Sequence, residues 1–481
     1  FTPVDMTAKC TACHVLTGDA RAAHNAAFPN RADLGPVACE RCHRDHRGVN
    51  VDLSRIDDRA CAGCHTMRFD DFATGHPPFP ASYPHDREAA IKFDHASHIG
   101  KHFADPKVAD RAPASCASCH DVATARATVL PKGYAETCAA CHGDQITDRT
   151  IVLLRLPEFA ANGFDAEAVT ETCGPTLDAF ERLVARVDAL TAGDDVAGDD
   201  GAEEDYEAVS LDEMAAPAAF LLDVSVDDLD FYQAPMQELV MAMAEDGTVP
   251  LAELVANRLG VSTPALLSGL SPELAKRVAC AWAANVEYEA PADTELGGWY
   301  GDYLELGYRP VGHGDAVARA WIETALAAVA KGDAAGAAML DELIDPKQGV
   351  GACTKCHAVR AAGDGGGLEV AWRFAGGGRR PYTHYSHRAH LGLVQAETAA
   401  IGTPGIGCRV CHLLDAEADF AASFDDVDPA TFAGNFRAID IATCAKCHAG
   451  RAVRADCRLC HRYHLEASFT PETMGAALSR E

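Results

Sequence analysis

Residues 442–464 read ATCAKCHAGRAVRADCRLCHRYH. Four cysteines and three histidines stand in that span: Cys444, Cys447, His448, Cys457, Cys460, His461 and His464. Working outward, the spelling C-x-x-C-H occurs nine times in the 481 residues. The copies are Cys10/Cys13/His14, Cys39/Cys42/His43, Cys61/Cys64/His65, Cys116/Cys119/His120, Cys138/Cys141/His142, Cys353/Cys356/His357, Cys408/Cys411/His412, Cys444/Cys447/His448 and Cys457/Cys460/His461. They use all of the 20 cysteines except Cys173 and Cys280, and no C-x-x-C lacks the following His.

Two cysteines three apart lie on one helical turn and point the same way. Both sulfurs can then bond the two vinyl groups of one haem, and the next His reaches the iron from the same side. This is the attachment pattern of c-type haem, with His as a standard axial ligand. A zinc ribbon also pairs C-x-x-C units, but it needs no His after every pair. A disulfide framework needs none at all. The expected cofactor is therefore covalent haem c, nine per chain. Haem c is attached outside the cytoplasm, so the expected location is periplasmic or extracellular. The opening FTPVDMTAKC has neither the basic start nor the apolar run of a signal peptide, so the signal is expected to have been removed. No segment approaches the ~18 apolar residues of a membrane span.

Each iron has a sixth position, closed by His in low-potential carriers or by Met, which raises the potential. Twelve of the 21 histidines lie outside the motifs. Phe93-Asp-His95-Ala-Ser-His98 precedes the fourth and fifth motifs, and Tyr382-Thr-His384-Tyr-Ser-His387 precedes the seventh to ninth. CERCHRDH ends in His46 and CRLCHRYH in His464. A His three beyond the proximal one cannot easily reach the far face of the same iron, and is better placed to serve a neighbouring haem. The expected distal ligands are His24, His46, His76, His95, His98, His384, His387 and His464. The ninth stays open between His102, His85, His390 and His313. His313 sits in YRPVGHGD, where flanking glycines would let backbone approach a cofactor closely; a plain Gly-rich turn is the other reading. Among the Met residues, Met67 is the nearest candidate.

The aromatic-x-His-x-x-His element upstream of C-x-x-C-H resembles that of class III multihaem c-type cytochromes, over roughly residues 1–145 and 351–470. The resemblance implies bis-His, low-potential haems packed densely in short chains with little regular secondary structure. It also implies electron transfer. The long stretch without motifs is a departure from the small members.

Five motifs occupy the chain up to residue 142 and four occupy 353–461. The expected domains are a pentahaem module over 1–145, an acidic, helical, haem-free insert over 146–350, and a tetrahaem module over 351–481. The expected fold is mainly α with extensive loops, with porphyrins rather than side chains forming the core of the two ends. Aromatics at 7% fit that expectation. In the insert, Phe180, Leu183, Val184, Val187 and Leu190 share one helical face. Ser271-Pro-Glu starts another helix with an N-cap and Pro at its first position, and Ala316 to Ala330 reads as a third. Asp194 to Glu207 carries eight acids in fourteen residues and reads as a solvated loop. The insert holds 11 Lys/Arg and 39 Asp/Glu, so it carries nearly all of the net charge of −30. An acidic surface disfavours nucleic acid and anionic lipid. Cys173 and Cys280 both lie in the insert and suit a disulfide in an oxidising compartment.

Electron transfer through the haem array is the leading expectation, and no catalytic constellation competes with it. One alternative is a multihaem oxidoreductase with one open haem acting on a small nitrogen or sulfur oxyanion. Another is a subunit of an extracellular conducting filament, in which His24 or His464 ligates a haem of the next copy. Expected partners are other redox proteins, basic or membrane-bound, or further copies of the chain.

Overall fold

The computed structural model describes residues 4–12, 38–44, 52, 55–62, 64–65, 74–79, 91–156, 163–191, 215–224, 229–286, 297–302, 304–362, 367–373, 383–401, 403–417, 435–449 and 453–463; for 179–191 and 229–232 it describes the backbone alone. The chain is mainly helical, with extensive loops. The acidic run at Asp194 to Glu207 lies outside the described residues.

The large side-chain core belongs to the middle of the chain. It is built from β1 (Ile151–Arg155), α1 (Ala166–Thr191), α2 (Ala216–Leu222), α3 (Leu229–Asp246), α4 (Val249–Leu259), α5 (Pro272–Ala283), β2 (Gly298–Asp302), β3 (Glu305–Arg309), α6 (Ala316–Val329) and α7 (Ala334–Ile344). Three of the helix starts are fixed by side-chain caps. Ser271 Oγ accepts from Leu274 N at 3.1 Å, and Pro272 supplies a preset φ at the first position. Asp315 and Asp333 cap α6 and α7 in the same way. The helix expected over 178–190 is the C-terminal half of α1. Trp282, Trp321, Phe220, Met236, Met243 and Leu251 are fully buried between these elements. Trp321 Nε1 donates to Leu266 O at 3.0 Å, which satisfies its one polar atom. A buried disulfide, Cys173–Cys280, ties α1 to α5.

A three-stranded antiparallel sheet, ordered β1-β3-β2, closes one side of this body. Ile151 pairs with Tyr308 and Trp299 pairs with Tyr308 from the other side. The expectation of a helical insert did not include this sheet. Its first strand comes from IVLLR, immediately after the fifth motif, and its partners lie about 150 residues later. A second, two-stranded sheet pairs β4 (Val359–Ala361) with β5 (Leu368–Val370) behind the sixth motif.

The motif-bearing parts are built differently. Outside residues 151–350, the buried hydrophobic residues among those described are Ala125, Ala352, Ala358, Val370, Ala371, Ala396 and Ala399. None of these hydrophobic side chains is larger than Val. The two ends also fold together rather than apart. Lys92 N donates to Cys356 O at 2.7 Å, His387 N to Arg126 O at 2.7 Å and Ile401 N to Ala114 O at 3.0 Å. Cys457 N donates to Asp58 Oδ1 at 2.9 Å. Segments before and after the helical body therefore form one assembly around a shared interior.

Candidate cofactor centre

Each described motif adopts one local geometry. The His N–H donates to the carbonyl of the first Cys, four residues back: His43 to Cys39 at 2.9 Å, His65 to Cys61 at 2.9 Å, His120 to Cys116 at 3.0 Å, His142 to Cys138 at 3.0 Å, His357 to Cys353 at 2.8 Å, His412 to Cys408 at 2.9 Å and His461 to Cys457 at 2.9 Å. His448 ends the helix Ile441–His448. One turn thus carries both thiols, and the imidazole follows them. None of the seventeen described motif cysteines is in a disulfide. Cys13 and His14 of the first motif lie outside the described residues.

Six motif histidines face a histidine from outside the motifs. The ring centres are 6.0 Å apart in His76–His461, 6.3 Å in His95–His120 and 6.2 Å in His98–His142. They are 6.0 Å apart in His313–His357, 6.1 Å in His387–His412 and 6.2 Å in His390–His448. A metal–imidazole bond is about 2 Å and a ring nitrogen lies about 1 Å from its ring centre, so two imidazoles on opposite sides of one metal have centres roughly 6 Å apart. The six pairs have that separation. Among the described residues, no three His, Cys, Asp or Glu side chains are grouped as a protein-only metal site would need; the imidazoles come in twos.

The outer ring nitrogens are held as well. Where Nδ1–H donates to a fixed acceptor, Nε2 is left as the ligating lone pair. His357 Nδ1 lies 2.9 Å from Ala371 O, His98 Nδ1 2.7 Å from Asp94 O and His390 Nδ1 3.0 Å from Ser386 O. His76 Nδ1 is 2.7 Å from Pro77 O, His448 Nδ1 2.6 Å from Arg454 O and His142 Nδ1 3.3 Å from Gln145 Oε1. Burial lowers the affinity of His98, His120 and His357 for a proton, which favours the neutral ring that can ligate.

The two His-rich elements superpose in their contacts, in a register the sequence reading did not choose. Phe93 meets His95 edge-on at 4.6 Å and stacks on His98 at 4.2 Å. Tyr385 meets His387 edge-on at 4.9 Å and stacks on His390 at 5.2 Å. The counterpart of Phe93-x-His95-x-x-His98 is therefore Tyr385-x-His387-x-x-His390, three residues after the frame beginning at Tyr382. His384 lies beside the ninth motif, where its N–H donates to Cys460 O at 2.7 Å. His102 sits on the same turn as His98, at 5.4 Å. His24, His46, His85 and His464 lie outside the described residues.

His313 comes from the helical body. Gly312 and Gly314, at φ of +154° and +85°, turn the chain on either side of it. Asp315 clamps that loop: it accepts from Tyr308 Oη at 2.7 Å, Val311 N at 3.0 Å and Ala318 N at 2.9 Å. Tyr134 stacks on His313 at 4.1 Å with planes only 7° apart. Its hydroxyl is buried without a hydrogen-bond partner, and burial raises its pKa to about 12. A buried polar group in that state is costly unless a further group meets it.

All nine motifs, together with His76, His95, His98, His102, His313, His384, His387 and His390, line one connected cavity of about 3920 Å³. A site for one small molecule encloses about 300–1,000 Å³, so this interior is sized for several large groups. The thiols of different motifs meet along it. A hydrogen bond from Cys457 draws Cys61 down to about 7, and one from Cys408 does the same for Cys116.

Gly407 is a close-packed point on the wall. It has φ +58°, and a Cβ there would stand 2.6 Å from Ala399 Cβ. Gly407→Ala is expected to lose about 2–4 kcal/mol, from left-handed strain of about 1–2 kcal/mol plus overpacking. Thermal melting checks it; an unchanged midpoint would refute the contact.

No family model, curated protein or solved structure matches the chain.

Proposed function

We propose that the chain is an electron-transfer protein that carries nine covalent c-type haems, most of them bis-His. The observation that carries this reading is the set of six facing pairs at 6.0–6.3 Å, each made of one motif His and one His from outside the motifs. The sequence pattern supports it independently, because the His expected as proximal is the same residue that faces a partner.

In this reading the paired thiols of each motif bind the two vinyl groups, and His43, His65, His120, His142, His357, His412, His448 and His461 supply proximal nitrogens, with His14 the ninth. His76, His95, His98, His313, His387 and His390 close the opposite side. When bound, haem supplies reversible one-electron chemistry at iron. At the six paired sites the chain would present an imidazole from each side of the group, which would leave no place for a substrate there. It orients the imidazoles through their Nδ1 contacts and makes them better donors. The small number of large buried side chains at the two ends also fits, because flat porphyrin faces would take their place as the apolar interior. The resemblance to class III multihaem cytochromes points the same way.

The same reading puts the protein outside the cytoplasm, in the periplasm or beyond, with redox proteins as partners. Among the described residues no helix is long and apolar enough to cross a membrane.

The test is direct. The protein is purified from a host that attaches haem c, and its mass and absorption are measured. A red product that exceeds the 50.8 kDa polypeptide by nine haems is expected. A colourless product with the mass of the bare chain would overturn the proposal. Spin resonance of the oxidised form should be dominated by low-spin signals; a strong high-spin signal would move weight to an enzyme with an open iron.

A further inference from the structure

The nine motifs do not adjoin in the order in which the chain presents them. The first two meet at the amino end, where Cys39 N donates to Thr7 Oγ1 at 3.3 Å beside the helix that bears Cys10. The Cys42 thiol of the second motif is near enough to Cys61 and Cys64 of the third for their charges to raise its pKa, and all three line the same cavity. From there the contacts leave sequence order. The third motif meets the ninth: Asp58 Oδ1 holds Cys457 N at 2.9 Å, and His76, after the third motif, faces His461 of the ninth.

The path then runs backward. Arg454, just ahead of the ninth motif, holds His448 of the eighth through its carbonyl at 2.6 Å. His387 and His390, one turn apart, face His412 of the seventh motif and His448 of the eighth. Next the seventh meets the fourth. Phe436 lies between His412 and His95, at 5.9 Å and 4.8 Å, and Ala400 bridges to Ser115 directly before Cys116. His95 and His98, again one turn apart, face the fourth and fifth motifs. Last, Gln145 Oε1 joins His142 of the fifth motif to Lys355 Nζ of the sixth, at 3.3 Å and 3.2 Å.

We propose that the attachment motifs of this chain form one relay in the spatial order first, second, third, ninth, eighth, seventh, fourth, fifth, sixth, with the first motif and the His313-capped sixth motif as its two ends. The proposal rests on the haem reading above and adds the connectivity. Electron exchange between attached groups falls steeply with the separation of their edges, so motifs whose thiols and axial imidazoles touch the same side chains are the ones that exchange fastest. The relay crosses between the two motif-bearing ends three times, at the third-to-ninth, seventh-to-fourth and fifth-to-sixth junctions. Neither half alone could carry charge from one end of the relay to the other.

The first measurement is haem content, because a chain without haem refutes the functional reading and not the order. With nine haems present, an experimental map of the holoprotein locates each iron by the cysteines that hold its porphyrin. Expected is an iron at Cys61/Cys64 whose neighbours are those of the second and ninth motifs. The iron at Cys116/Cys119 should adjoin those of the seventh and fifth. Neighbours that follow sequence order, with third beside fourth and sixth beside seventh, would overturn the proposal.

A kinetic arm tests the consequence. A ruthenium photoreductant is attached through Val4→Cys, near the first motif. His313→Met makes the sixth site a high-potential sink, since Met ligation raises the potential. Removing the eighth attachment point with Cys444→Ala/Cys447→Ala should abolish reduction of that sink. In sequence order the eighth site would lie off the path, and reduction would persist; that result would overturn the relay. Should this variant not accumulate, Cys408→Ala/Cys411→Ala tests the same link, and the iron positions decide the order without any variant.

Discussion

His313→Ala should leave nine haems attached and turn one of them high-spin. His313 faces His357 at 6.0 Å from a loop outside any helix, so removing its ring costs the core nothing large. His357 stays in place because Ala371 O holds its Nδ1 at 2.9 Å and its ring is buried. The iron would then keep its proximal ligand and lose the other. The expected readouts are a gain over the parent of one high-spin iron and one bound carbon monoxide per chain, and a raised potential for that site. His313→Met should return the site to low spin at a higher potential than the parent. Asp315→Ala should give a weaker form of the same defect. It removes the helix cap, worth about 0.5–2 kcal/mol, and loosens the loop without touching the imidazole. Nine low-spin irons in His313→Ala would refute the assignment.

The second large effect concerns the helical body. Cys173→Ser/Cys280→Ser opens a loop of 107 residues. The chain-entropy argument gives about 4–5 kcal/mol for a loop of that length, and measured losses run about 2–5 kcal/mol. Both sulfurs are fully buried between α1 and α5, so two hydroxyls would replace them in an apolar place and deepen the loss. Denaturation followed by circular dichroism should show the helical signal melting earlier than in the parent. Because α6 and its preceding loop carry His313, that early melting should bring the high-spin signal of one iron with it. A helical transition unchanged by the double substitution would remove the disulfide from the account of stability.

Much of the helical body could be read in advance. Ser271-Pro272 announces its helix through a local cap, and the helices over 178–190 and 316–330 follow from the pattern within a single segment. The sheet could not be read in this way. Ile151–Arg155 looks like any short apolar run until it meets Glu305–Arg309, and that pairing is decided by tertiary packing. The site divides likewise. C-x-x-C-H is local, so its geometry follows from one turn. The facing ligands are non-local. Tyr382/His384/His387 and Tyr385/His387/His390 both satisfy an aromatic-x-His-x-x-His spelling, and only the ring contacts of Tyr385 select the second. His313 stands 40 residues before the sixth motif, inside a stretch that otherwise reads as an independent acidic domain. Its one signal was the pair of glycines around it. The joining of the two motif-bearing ends left no trace in the spacing of either.

The tilt between facing imidazoles carries one more consequence. Four pairs are close to parallel, at 24°, 13°, 19° and 12°, while His98–His142 and His390–His448 cross at 56° and 63°. Parallel rings both push on one iron d orbital and split it from its partner; crossed rings push on both and leave them nearly level. With haem bound as proposed, these six sites should give two magnetic species in frozen solution, four rhombic and a minority of two axial. The minority belongs to the fifth and eighth motifs, each served by the second His of an aromatic-x-His-x-x-His element.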